Sequence, residues 1–357
     1  APITKAAEFH ELTREELVSG VSVRIRGQVT YCRGSEFPDF ILQDATGGIF
    51  ADLKQEEMVA GDLKLGQEVE IEGFTTVGYG LPPRVSVTKF QRGENISELV
   101  PKVLSPAAVA EGAGHMSLVE FTGIIREAYI DPILSPPRLI LNFGPPENRL
   151  TVRMARFDES SLSTLVPDAK VRVRGVALAW ATPSLQSLAT FVVANDPSQI
   201  ALVSPPAASE QTPERLAELL SSHVHGFDER RKMIQGVVTL HWPDEWLIVQ
   251  DGEMAVRVAV KAGNHADIGD RVKIRGFPHS QNGHITLTDI AVETLSRGSP
   301  PAPEQVDAHD LLSGAYKIDR DAKRIQLSAW VTGISTRDNH PILQLEADGT
   351  RFSAVLP

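Results

Sequence analysis

Apolar and polar residues alternate in three stretches spaced about a domain apart: VRIRGQVT (Val23 to Thr30), VEFTGIIR (Val119 to Arg126) and KMIQGVVT (Lys232 to Thr239). In the first, Val23, Ile25, Val29 and Tyr31 share one face, and Arg24, Arg26, Gln28 and Thr30 share the other. That is the period of a half-buried β-strand. The three stretches align on Gly27, Gly123 and Gly236, and a fourth copy, IQLSAWVTG from Ile325, has Ala329 at the glycine position. A repeat at this spacing predicts a row of similar small β domains before any residue is given chemistry.

Each of the first three copies is followed by a second matched strand: EVEIEGF, KVRVRGV and RVKIRGF, whose glycines lie 40 to 52 residues beyond the first set. An apolar hairpin lies between the two strands, such as FILQDATGGIFADL or LIVQDGEMAVRVAV, and a last strand such as RVSVTKF or HITLTDIAV closes the unit. Five strands result. A mid-strand glycine marks a bulge or sharp bend, and a five-stranded sheet needs such bends to curl on itself. The fold predicted is therefore all-β: tandem five-stranded Greek-key barrels of the OB type, each preceded by a short helix. An open sandwich is the alternative. Helix starts are signalled by Thr13 and Glu16 at capping-box spacing, by Ser105-Pro106 and Thr212-Pro213, and by Asp307 ahead of Leu311 and Leu312. Asp44 and Asp251 read as turn caps of matched hairpins.

Proline-rich joins divide the chain at 1–104, 105–211, 212–302 and 303–357, three complete domains and part of a fourth. The fourth has material for three strands and lacks the partner of EVEIEGF, so we expect a longer parent chain.

Charge and chemistry narrow the function. The chain carries 35 basic and 46 acidic residues, net −11, a field that repels a polyanion. The densest basic cluster, Arg230-Arg231-Lys232, reads as solvated surface. No run of about 18 apolar residues is present to span a membrane. One cysteine, Cys32, excludes an internal disulfide framework and reads as an inert thiol. No phosphate loop, nucleophile elbow, HExxH helix or paired CxxC occurs, so no catalytic residue, metal ligand or cofactor is assigned. His223 and His225 lack a third ligand nearby.

Binding remains. OB barrels bind on the face of strands two and three and on the flanking loops. In the first unit these carry Tyr31, Arg33, Phe37 and Phe40, then Tyr79 and Arg84; in the third they carry Trp242 and Trp246. Aromatics beside arginine stack flat groups, which makes Tyr31, Arg33, Tyr79, Arg84, Trp242 and Trp246 the candidate ligand-binding residues. Packing is the competing reading for Tyr31, Phe40 and Trp246, as plugs of the barrel ends.

LTREELVSGVSVRIRGQVTY, FILQDATGGIFADL and LKLGQEVEIEGF resemble the extracytoplasmic input region of bacterial two-component sensor histidine kinases with tandem OB-like domains. The resemblance is strongest over residues 3–93. It implies a periplasmic, non-enzymatic sensor segment that binds a small ligand or partner protein and signals across a membrane through segments outside this sequence, dimers being implied for the whole kinase. Two further readings stay open. One is single-stranded nucleic-acid binding, against which the net charge argues. The other is an exported carbohydrate-binding or adhesive array.

Overall fold

The computed structural model describes residues 1–32, 39–53, 63–78, 82–133, 136–181, 188–207, 212–222, 229–243, 245–260, 266–281, 284–312, 322–337 and 340–356. The chain divides into two compact units, Ala1–Pro206 and Ala207–Pro357.

The first unit opens with barrel 1: β1 (Ser22–Cys32), β2 (Asp39–Gln43), β3 (Gly48–Asp52), β4 (Gln67–Thr76) and β5 (Arg84–Ile96). These close in the order β1-β2-β3-β5-β4, with β3 and β5 parallel and the other pairs antiparallel. This is the pairing order of an OB barrel. Two short helices precede it, Ala6–His10 and Arg14–Ser19; Thr13 caps the second through its side chain, and Glu16 returns the bond to the Thr13 backbone.

Barrel 2 follows a helix, Pro106–Ala110, that starts at the expected Ser105 cap. It consists of β7 (Leu118–Asp131), β8 (Arg138–Phe143), β9 (Leu150–Met154), β10 (Lys170–Ala181) and β11 (Leu188–Ala194). The same ring closes through pairing of β10 with β7. Two short strands, β6 (Lys102–Val103) and β12 (Ile200–Ser204), extend the sheet. A helix at Glu159–Thr164, capped by Asp158, sits between its third and fourth strands, where no helix is expected from the sequence. Hydrogen bonds from Ser161 and Ser160 hold the Asp158 carboxyl down to about 2.

The second unit holds barrel 3, with β13 (Lys232–Trp242), β14 (Trp246–Asp251), β15 (Met254–Ala259), β16 (Arg271–Gln281) and β17 (His284–Ser296) in the same closed order. Its helix starts at Leu216 rather than at Thr212-Pro213, because Glu214 bridges Ile234 of β13 in extended form. The fourth repeat has a helix at Ala308–Leu312, directly after Asp307. A short parallel pair, β18 (Glu304–Gln305) and β19 (Ile325–Gln326), precedes a three-stranded sheet of β20 (Trp330–Arg337), β21 (His340–Ala347) and β22 (Thr350–Val355).

The repeated glycine has a common cause in barrels 1 and 3. Gly27 is where β1 leaves β4 and joins β2, and a Cβ there would run into the Gln43 carbonyl; on Gly236 it would lie 2.6 Å from the Gln250 carbonyl oxygen. In barrel 2 the Cβ of Gly123 would press on the Phe143 ring at 3.0 Å. The bulge itself falls beyond the glycine, between Val29 and Tyr31, Ile125 and Glu127, and Val238 and Leu240. Before it the alternation holds: Val29 and Val238 are fully buried in equivalent cores. After it the phase shifts by one residue. Tyr31 is thereby turned to the outside of the barrel, and Cys32 turns into the core, where its Sγ bonds the Leu63 carbonyl at 3.3 Å.

Candidate ligand-binding face

The bulge defines one outward row across each barrel, read directly from strand register. In barrel 1 it runs Tyr31, Ile41, Phe50, Arg84. In barrel 2 it runs Glu127, Asn142, Thr151, Phe191, and in barrel 3 Leu240, Ile248, Arg257, Thr286. This is the face on which OB barrels take ligands.

Barrel 1 has lost that face to its neighbour. Tyr31, Ile41 and Phe50 form a buried cluster with Met116, Leu118, Val176, Leu178, Phe191 and Val193 of barrel 2. Polar bonds fix the register of this seam. The Leu118 N–H donates to Gln43 Oε1 at 2.7 Å, and the Cys32 N–H donates to Asn195 Oδ1 at 3.1 Å. Gly48 lies against the Met116 carbonyl so closely that a Cβ has no room. The second glycine of the DATGG turn therefore serves the seam as well as the hairpin. At its edge His10 and His115 stand 5.9 Å apart, the His10 ring bonded to the Gly48 carbonyl and His115 Nδ1 accepting from the Ala179 N–H.

Tyr31 and Arg84 thus lie in one row, as a shared site requires, but neither is open to a ligand. Tyr31 is buried in the seam, and Arg84 makes two bonds to Asp52, at 3.0 and 3.1 Å, with its guanidinium 5.7 Å from the Phe50 ring. Burial pushes the Asp52 carboxyl up, against the pull of Arg84. Phe40 packs in the core, as the packing reading has it. Arg33, Phe37 and Tyr79 lie outside the described residues, as do His223 and His225. Asp44 is a turn cap that does more than the turn asks: it accepts from Thr46 and Gly47 and from the Ala6 N–H of the first helix. Burial works to raise its carboxyl, and these bonds bring it below its ordinary value.

Barrel 2 carries a polar chain in the same row. Thr151 donates to Asn142, and Asn142 donates to Glu127, at 2.9 and 3.0 Å. The next row, Tyr129, Ile140, Arg153 and Val193, puts the Arg153 guanidinium 4.0 Å from the Phe191 ring, and burial lowers the pKa of Arg153. Sequence reasoning missed these residues, because hairpin turn chemistry alone gave no register.

Barrel 3 keeps its aromatics together. Trp242 and Trp246 are cross-strand partners with ring centroids 5.1 Å apart and planes 23° from parallel. Arg257 is exposed and stands 4.9 Å from the Trp246 ring; the His340 ring of the fourth repeat lies 4.7 Å from Trp242, its plane tilted by 58°. The four groups form one contiguous cluster. Trp246 is half-buried on the outer face rather than plugging a barrel end, and Trp242 is 8% exposed. Among the described residues the Trp242 indole N–H finds no acceptor. Arg230, Arg231 and Lys232, expected as solvated surface, are half-buried and line a cavity of about 330 Å³ with Glu214. Among the described residues no group of three or more His, Cys, Asp or Glu is placed to hold a metal ion, and no helix is long and apolar enough to cross a membrane.

No protein-family model matches the chain, and no curated protein does. Solved structures that align with it include a replication protein A heterotrimer bound to single-stranded DNA (9% identity, 97% of this chain and 93% of that one, TM-score 0.27). Others are the hypothetical protein ygiW from E. coli (16% identity, 26% and 91%, TM-score 0.21) and a single-stranded DNA-binding protein from Thermus aquaticus (16% identity, 54% and 97%, TM-score 0.19). At such scores the OB-like assignment rests on the strand pairing itself. The sensor-kinase resemblance finds no support among these three.

Proposed function

We propose that this chain is a non-enzymatic binding region whose ligand presents a flat ring and an anionic group, taken on the Trp242–Trp246 face of barrel 3. The observation that carries this reading is the indole pair: two stacked indoles with an exposed guanidinium over the second. Single-stranded nucleic acid offers both groups, and stacking on aromatic side chains is indifferent to base identity. Acidic residues outnumber basic ones in each of the four repeats. Such a surface favours a short segment held by stacking, with a shallow salt dependence because few phosphates are neutralised. The test is a titration of tryptophan fluorescence in the whole chain with a short oligothymidine at low salt. Saturable quenching is expected, lost in Trp246→Ala and weakened in Arg257→Ala. No quenching at low salt refutes nucleic acid as the ligand, and quenching by small flat molecules alone replaces it with that class.

A second reading, the periplasmic input region of a sensor histidine kinase, is favoured by the seam of the first unit. Barrels 1 and 2 share a buried apolar cluster, so a displacement of one carries the other, as relay by rigid-body shift needs. Its ligand is then a small molecule or a partner protein. Protease added to spheroplasts of cells making the native protein tests the location: digestion supports it, and protection until lysis refutes it.

A further inference from the structure

We infer that the His340 imidazole is a built-in stand-in for the ligand's ring on barrel 3, so that ligand binding displaces it and releases the β20–β21 hairpin of the fourth repeat. This rests on the proposed ligand reading and adds what must leave the face when the ligand arrives.

Two observations point to a ligand at this place. The first is the ring contact itself, with imidazole and indole centroids 4.7 Å apart and planes tilted by 58°, on the outward face that OB barrels use for binding. The second is Trp242, which is 8% exposed and yet leaves its buried Nε1–H without an acceptor among the described residues. An unsatisfied buried donor is costly, and the imidazole does not relieve it. A ring that carries an acceptor would.

The hold on His340 is light. Among the described residues its polar contact with barrel 3 is to Glu245 Oε1 at 3.7 Å, beyond hydrogen-bond distance. Compare barrel 1, whose matching face is filled by a cluster of nine buried side chains. One face is sealed; on the other the hairpin meets the indole through the His340 ring, while the fourth repeat keeps a separate tie to barrel 3 in the Lys323–Glu253 ion pair at 2.9 Å, outside the hairpin. The chemistry of the site asks for a flat ring with an acceptor for Trp242 Nε1–H, joined to an anion that reaches Arg257. A nucleoside monophosphate unit fits that description. Ligand and hairpin then compete for one indole face, and the affinity observed is reduced by the fraction of molecules in which the latch is closed.

The whole chain, wild type and His340→Ala, is titrated with thymidine monophosphate and with the short oligothymidine, reading tryptophan fluorescence. Removing the competitor should tighten binding about three- to tenfold, the worth of one aromatic pair. In wild type the His340 ring protons, shifted upfield over the Trp242 indole, should return to ordinary positions as ligand is added. His340→Tyr, which keeps a ring in place, should bind more weakly than His340→Ala, and it serves if the alanine variant folds poorly. Equal or weaker binding by His340→Ala overturns the stand-in while leaving the ligand reading intact. Absence of quenching in wild type and both variants overturns the two together.

Discussion

Ile41→Ala tests the seam between barrels 1 and 2 most directly. Ile41 is fully buried, yet it points away from the barrel 1 core, so its cover comes from Met116, Leu118 and their neighbours in barrel 2. Truncation deletes three buried carbons, about 0.8 kcal/mol each, and leaves a cavity, for a total near 3 kcal/mol. In a unit the size of Ala1–Pro206 this corresponds to a fall in Tm of about 6–12 °C. Circular dichroism against temperature and urea reads both quantities. Val103→Ala is the control: this residue is 77% exposed, and its truncation should stay within about 0.5 kcal/mol. A double-mutant cycle assigns the loss to the seam. Ile41→Ala with Met116→Ala should couple by more than about 0.5 kcal/mol, whereas Val29→Ala, in the barrel 1 core, should add to Met116→Ala independently. A cost below about 1 kcal/mol, or additivity in the first cycle, would show that the seam does not hold in solution.

Gly48→Ala should loosen the same seam, because its new Cβ has to displace the Met116 backbone; a loss of about 1–3 kcal/mol and faster proteolysis between the barrels are expected, and wild-type stability would contradict the packing. Gly236→Ala should cost a similar ~2 kcal/mol in the second unit, read by urea unfolding, since its Cβ would meet the Gln250 carbonyl. Burial, with nearby His10, depresses the pKa of His115. Its unfolded form takes a proton near pH 6.5 while the folded form resists, so stability is fully present above that value and declines as pH falls below it toward the lower folded value. Urea midpoints between pH 7.5 and 5 should show this decline, and His115→Ala should flatten it; a midpoint that rises on acidification would refute the assignment. Thr13→Ala removes a helix cap and should cost about 1 kcal/mol, measured by thermal unfolding.

Much of the fold was legible because alternation and glycine spacing are local signals. Val23, Ile25 and Val29 could be assigned to a core from one strand alone, and the matched strands and hairpins followed. The phase beyond Val29 was not legible, since nothing in Thr30-Tyr31-Cys32 announces a bulge. The site was less legible still. Tyr31 reads on the inward face of Val29 and Arg84 on a separate loop; the bulge puts both in one outward row, and whether that row is open depends on Leu118 and Phe191, far along the chain. Trp242 and Trp246 were readable as a pair from their flanking turn. His340 was not, because its role arises where a later repeat folds back on an earlier one.

The bulge after each glycine has a consequence for how these barrels diverge. Residues before it answer to the interior, and residues in the row beyond it answer to whatever lies outside. Tyr31-Ile41-Phe50, Glu127-Asn142-Thr151 and Leu240-Ile248-Arg257 occupy the same lattice points with an adhesive, a polar and a mixed character. Three positions on one surface therefore change character from barrel to barrel, with the alternation inside kept. Transplanting the Glu-Asn-Thr row onto barrel 1 would free it from its partner, and a descendant of this chain could gain a new binding module without building a new core.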